Sequence, residues 1–262
     1  MRRKASFGFG SFGTLPMLIL ALLMASTAVA RAGDGVSLKL EKDLIKIGTF
    51  YNGTTIEAQG IVPNGAEVVI RVTGHPEDLA LKKKGKVLGL LWMNVSDITF
   101  KNAPEVYMLY SSASGQSLLE DPKYEFSFPA LERRIEIEPA GEDFDFLFGE
   151  FIKLKEKEET YASFTSAVHY PEESDSGRVF SVTLNVPPKM KKGDYKVDLF
   201  AVKDGKVVGS ASSDLKIEYV GLPKFLDDLA FQHALLYGLL AAGVAIAAGL
   251  IIGSIFKGGG GH

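Results

Sequence analysis

The residues whose types could do chemistry are few and scattered. Four histidines occur, His75, His169, His233 and His262. His75 stands in Gly74-His75-Pro76-Glu77-Asp78, a turn-like polar stretch beside two carboxylates. A metal site there needs a further ligand from afar, with His169 the candidate, and no HxH, HxxxH or HExxH spacing supplies one locally. Ordinary loop histidines are the reading that the spacing supports. Glu142, Asp143 and Asp145 lack the alternation, central glycine and twelfth-position glutamate of a calcium loop, and they suit the first turn of a helix. No nucleophile elbow, P-loop or dinucleotide glycine pattern is present, and no acid–base constellation activates a serine. The chain has no cysteine, which excludes disulfides, thiolate metal sites and cysteine nucleophiles. No catalytic residue, cofactor or metal is therefore expected.

Two other clusters invite a functional reading. Lys82, Lys83, Lys84 and Lys86 form the compact basic run, which would suit an anionic headgroup or acidic partner but reads first as a solvated hairpin loop. Trp92, Tyr107 and Tyr110 are candidates for a carbohydrate-binding face, although Trp92 sits in a continuous apolar run, Val87 to Val95, and is expected in the core of a strand buried on both faces.

The elements that must position these groups follow from periodicity. Val36, Leu38 and Leu40 alternate with Ser37, Lys39 and Glu41, and Ala66, Val68, Ile70 and Val72 alternate with Glu67, Val69 and Arg71. Asn52-Gly53, Pro63-Asn64-Gly65 and Lys84-Gly85 mark turns. Val106 to Tyr110 reads as a further strand. Residues 117–160 change character: Ser127 with Pro129 starts a short helix, and Phe144, Leu147, Phe148, Phe151 and Ile152 give an amphipathic helix between Gly141 and Glu158. Strands return through Phe180–Val186 and Tyr195–Ala201, with Asp204-Gly205 as a two-residue hairpin turn. Gly193-Asp194-Tyr195 resembles the approach to a tyrosine corner. The expected fold is mainly β: one or two antiparallel immunoglobulin-like β-sandwiches over residues 35–220, about seven strands before a helical insertion and about four after it.

Both ends of the chain concern membranes. Arg2, Arg3 and Lys4, an apolar stretch from Leu15 to Met24 and Ala28-Val29-Ala30 make residues 1–30 a signal peptide, cleaved after Ala30 or Ala32. Removing it takes three bases and no acid from the 29 basic and 32 acidic residues, so the net charge of −3 becomes more negative. An acidic mature chain is a poor nucleic-acid ligand. Leu235 to Phe256 carries no charge and is long enough to span, after a tether at 221–234 and before a cytoplasmic tail at 257–262. Within the span Ala241, Ala245, Gly249 and Gly253 repeat every four residues, a face along which a second helix can approach closely, although small residues are also common in membrane helices at large.

Ile47-Gly48-Thr49-Phe50-Tyr51-Asn52-Gly53, Gly89-Leu90-Leu91-Trp92-Met93-Asn94 and Gly193-Asp194-Tyr195-Lys196-Val197, in this order between an export signal and a C-terminal span, resemble the transmembrane protein family described from Alphaproteobacteria. The resemblance implies location and layout and brings no catalytic residues. The expectation is a single-pass inner-membrane protein, mostly periplasmic, acting as a non-catalytic accessory module. Its partners are the membrane and another membrane protein, or a second copy bound through the span. The competing expectation is a periplasmic ligand-binding, metal-binding or catalytic domain using His75 and His169.

Overall fold

A computed structural model describes residues 35–141, 143–174 and 177–256. The export signal with both cleavage positions, Glu142, Lys257 and His262 lie outside the described residues.

Two sheets share the main core. The first has five strands in the order β1 (Ser37–Leu40), β3 (Thr54–Val62), β12 (Gly177–Val186), β10 (Val168–His169), with β11 (Glu173–Ser174) also paired to β12. The second has six: β2 (Leu44–Ile47), β14 (Lys206–Tyr219), β13 (Gly193–Lys203), β4 (Glu67–Thr73), β7 (Tyr107–Ser111) and β9 (Tyr161–Phe164). The predicted alternations face this core: Leu38 and Leu40, Val68, Ile70 and Val72, Phe180, Val182, Leu184 and Val186, and Tyr195, Val197, Leu199 and Ala201 are all buried in it. Strict period two buries one face of a strand and wets the other. Asp204 and Gly205 both take positive φ in the turn joining β13 to β14, as a two-residue hairpin requires. Six strands follow the helices where four were expected, the extra pair being the two-residue strands β10 and β11.

A second core lies on the outer face of the six-stranded sheet. Val69, Tyr107, Leu109 and Val202 of that sheet meet Leu119 of a short 3-10 turn (Gln116–Leu119), Leu131 of α1 (Phe128–Glu132), and Leu147 and Phe151 of α2 (Phe144–Lys157). Ser127 caps α1 through its side chain, accepting from the Ala130 amide at 3.3 Å, and Asp143 caps α2, accepting from the Phe146 amide at 3.1 Å. β4 and β7 thus feed two cores from opposite faces. Every residue of β7 is buried.

A third sheet, β5 (Pro76–Val87), β6 (Leu91–Pro104) and β8 (Glu136–Glu138), completes the outer layer. Here the expectation for Val87–Val95 is corrected. That segment is the turn and rim of the β5–β6 hairpin, and every residue from Lys86 to Val95 is exposed. Gly85 lies within β5, and the turn falls later, at Leu88 and Gly89, both at positive φ, with the Leu90 amide bonded to the Val87 carbonyl. The physical reason is the lack of cover. Beyond the three residues of β6 that pair with β8, each strand of the ribbon is bonded only to the other, and among the described residues no further strand pairs with it, so its outer edges face water.

The tether is also ordered: α3 (Leu222–Gln232) follows a turn at Gly221, whose φ of +63° is open to glycine at little cost, and α4 (Ala234–Phe256) follows at once.

Candidate functional site: the projecting hairpin and the span

The hairpin is clamped at its base and bare at its tip. At the base Pro76 pairs with Pro104, and Lys191 reaches Glu77 at 3.2 Å and Glu105 at 3.5 Å. The Tyr195 hydroxyl lies 3.2 Å from Glu105 Oε2 and donates to the Lys191 carbonyl at 2.9 Å. Lys155, from α2, is buried and donates to the Glu105 carbonyl at 3.3 Å, with its ammonium over the rings of Phe151 and Tyr161. Burial pushes the Lys155 pKa down, against the pull of Glu77, Glu158 and Glu105. Burial also opposes the charge of Lys191, but the hydrogen bond to Glu77 and the Glu105 charge outweigh it and raise the pKa. Higher up, Phe100 stacks on Phe151 at 4.6 Å between ring centres, seating β6 on α2. These contacts fix the direction in which the ribbon leaves the body.

Toward the tip the ribbon is two-faced. Strand alternation puts Lys82, Lys84 and Lys86 of β5 on one face, opposite Asp97, Asn94 and Trp92. Lys82 pairs with Asp97 at 2.5 Å, and the Lys86 ammonium lies 5.4 Å from the Trp92 ring centre. The other face brings Val87 opposite Leu91 and Gly85 opposite Met93, with Val95 covering Gly85. Leu88 and Leu90 cap the turn at 91% and 84% exposure, and Trp92 is 67% exposed. Trp92 is therefore a surface residue and not a core one. Tyr107 and Tyr110 are buried, in the second and first cores respectively, so these three aromatics share no carbohydrate-binding face. The basic run is a paired strand and not a loop. Its signal in the sequence is the register itself: lysines at 82, 84 and 86, then Leu88-Gly89, then a run of matching length.

The histidines are not gathered. His75 is an exposed residue in the link from β4 to β5, and His169 is exposed on β10 of the five-stranded sheet. Among the described residues no group of three His, Cys, Asp or Glu side chains is placed to hold a metal ion. Asp143 and Asp145 sit at the cap and first turn of α2.

The span has the composition of a lipid-facing helix. α4 has a mean hydropathy of 2.4 over its most apolar window, and none of that window is buried against the body. Ala241, Ala245, Gly249 and Gly253 lie along it at four-residue spacing, all exposed. A methyl group added at Gly249 or Gly253 meets nothing within 4 Å.

A comparison with curated proteins returns no match. Residues 35–258, the β body together with α3 and α4, match the family described as "Putative transmembrane protein (Alph_Pro_TM)", and the chain belongs to that family.

Proposed function

We propose that the protein is a membrane-anchored, non-catalytic interaction module of the bacterial cell envelope. In this reading α4 crosses the inner membrane, the body lies on the periplasmic side, and the protein serves as an accessory subunit beside an inner-membrane complex or transporter. The periplasmic orientation draws on the export signal of residues 1–30 and on Lys257 after the span. The immunoglobulin-like reading of the body draws on the two-sheet core and on Tyr195 donating to the carbonyl four residues before it.

One observation carries the proposal: the chain holds a row of large apolar side chains in water, on a ribbon whose base is locked. Exposed contiguous apolar surface marks a place where another surface docks. The lysine face beside it favours a partner with an apolar cleft rimmed by carboxylates. The small-residue face of α4 offers a second contact inside the bilayer, where close backbone approach drives association.

The test is photo-crosslinking in native membranes from a group placed at Leu90, with Leu88, Leu91 and Trp92 either native or replaced by serine. A specific crosslinked protein that disappears in the serine variant, at unchanged membrane level, is the expected result. Crosslinks indifferent to the substitutions would sink the assignment of the tip. The double variant Gly249→Leu, Gly253→Leu separately reads the span: loss of a co-purifying chain is expected, with insertion intact because leucine favours the bilayer more than glycine does.

A further inference from the structure

α3 is an amphipathic helix whose polarity is reversed with respect to the body on which it docks. Leu222, Phe225, Leu226 and Leu229 recur at i, i+3, i+4 and i+7 and form one apolar face. A helix packed on a globular domain turns such a face inward. In α3 Leu222, Phe225 and Leu226 are exposed, and the acidic side meets the body. Asp227 keeps 16% of its side-chain exposure and pairs with Lys192, and Lys192 also lies 5.5 Å from the Phe231 ring centre. Asp228 pairs with Lys224 at 2.8 Å within the helix. Both acids are thus neutralised, and little repulsion remains toward an anionic surface.

The position of α3 along the membrane normal follows from α4. Only His233 separates the two helices, and backbone bonds from His233 to the Leu229 carbonyl and from Tyr237 to the His233 carbonyl tie the junction. At 1.5 Å per residue the 23 residues of α4 are about 34 Å long, against a hydrocarbon core of about 30 Å. The span has little length to spare, so its first turn stands at the lipid boundary and holds α3 at headgroup level.

We propose that α3 lies in the plane of the membrane surface, with Leu222, Phe225, Leu226 and Leu229 in the boundary between headgroups and acyl chains. The occupant of the bare face is the bilayer itself. Continuity with α4 brings it there, and the pairing of Asp227 with Lys192 turns the apolar side away from the protein. The cleft between α3 and the end of the body is lined by Lys46, Lys192, Lys216 and Lys224 together with Asp194, Glu218, Asp227 and Asp228, so it turns a charge-balanced rim toward the headgroups. α3 works as a collar that sets the height and tilt of the body. This placement depends on α4 spanning the membrane and is independent of the hairpin's partner.

The absence of cysteine makes the test direct. Single cysteines are placed in the full chain by Leu222→Cys, Phe225→Cys, Lys224→Cys and Leu250→Cys. Each is labelled with an environment-sensitive fluorophore, and the protein is reconstituted in phosphatidylethanolamine–phosphatidylglycerol vesicles. The labels at 222 and 225 are expected to resist aqueous iodide and to be quenched by a shallow lipid-borne quencher, at the depth of about 5–10 Å that in-plane helices reach. The label at 224 stays open to iodide, and the label at 250 responds to a deep quencher. Iodide quenching at 222 and 225 equal to that at 224 overturns the proposal. Protection there from both aqueous and lipid quenchers overturns it too, since protein then covers the face. Loss of deep quenching at 250 overturns it through failure of the span. Adding Leu226→Asp to the Phe225→Cys chain is expected to restore iodide quenching at 225 while leaving the label at 250 unchanged.

Discussion

Val106–Tyr110 and Val87–Val95 are both apolar stretches next to strongly polar sequence, and they end in opposite surroundings. β7 is the fifth strand of a six-stranded sheet, with the shared core on one face and the helical layer on the other. Met108 and Tyr110 go to one core, Tyr107 and Leu109 to the other. The hairpin segment has a single partner strand and no layer on either face. Burial is a property of the neighbours that topology supplies, and hydrophobicity only decides which placements stabilise the fold. The tip keeps its apolar surface in water, so its free energy of transfer is still available to a partner.

The comparison is most exposed by large-to-small substitutions. Tyr110→Ala is expected to cost about 3–5 kcal/mol, as for other buried aromatics. Trp92→Ala should stay within about 0.5 kcal/mol. Chemical denaturation of the full chain in detergent measures both, and comparable losses would mean that the tip is packed. The two ion pairs give the next contrast. Arg71 and Asp198 lie 2.7 Å apart at 17% and 15% side-chain exposure, with Ser212 donating to the same carboxylate. Arg71→Ala strands a shielded charge and is expected to cost about 3 kcal/mol. Replacing both members, by Arg71→Met with Asp198→Leu, should recover most of that loss. Lys82→Ala at the tip, where the pair with Asp97 is well exposed, should cost less than about 1 kcal/mol. A smaller, spectroscopic contrast comes from Trp92, the single tryptophan of the chain. Its emission should be water-like and iodide-quenchable in the free protein, and should shift to the blue when a partner covers the tip. A blue emission without any partner would show a buried ring.

The smallest effect is a pH dependence in the body. Burial disfavours the Glu67 carboxylate, yet hydrogen bonds from Ser112, Ser114 and Tyr170 outweigh it and hold the pKa below its ordinary 4.5. A depressed carboxyl stabilises the folded state above the ordinary value and loses that contribution as pH falls through the folded one. Glu67→Gln should therefore flatten the acid limb of melting temperature against pH and change little at neutrality. An unaltered acid limb would remove Glu67 from the balance.

Much of the body is legible in sequence because one-sided burial imposes a period. β1, β12 and α2 each expose one face to a single core, and Ser127 and Asp143 mark helix starts through their capping chemistry. The hairpin is less legible: a strand covered on both faces and a strand covered on neither give the same unbroken apolar run. What remains readable there is the turn, where Leu88-Gly89 outranks Lys84-Gly85 once the register is counted. α3 carries its helical period openly in Leu222, Phe225, Leu226 and Leu229, but its Gly-Leu-Pro entry and its neighbour the span make it read as a tether. The reversed orientation depends on Lys192, thirty-five residues away, and no local pattern announces it.

The parallel pairing of β2 with β14 has a mechanical consequence. The anchor follows β14 in the chain, so once the Asp227–Lys192 pair has given way, load between the membrane and the body enters at the C-terminal end of that strand. β14 is held by β13 on one side over nearly its whole length and by β2 on the other. A pull along the strand axis works against the two ladders in shear, loading many hydrogen bonds together, whereas peeling would break them one at a time. Single-molecule pulling through α4 should therefore meet one high rupture force, and a stepwise low-force release would contradict shear loading.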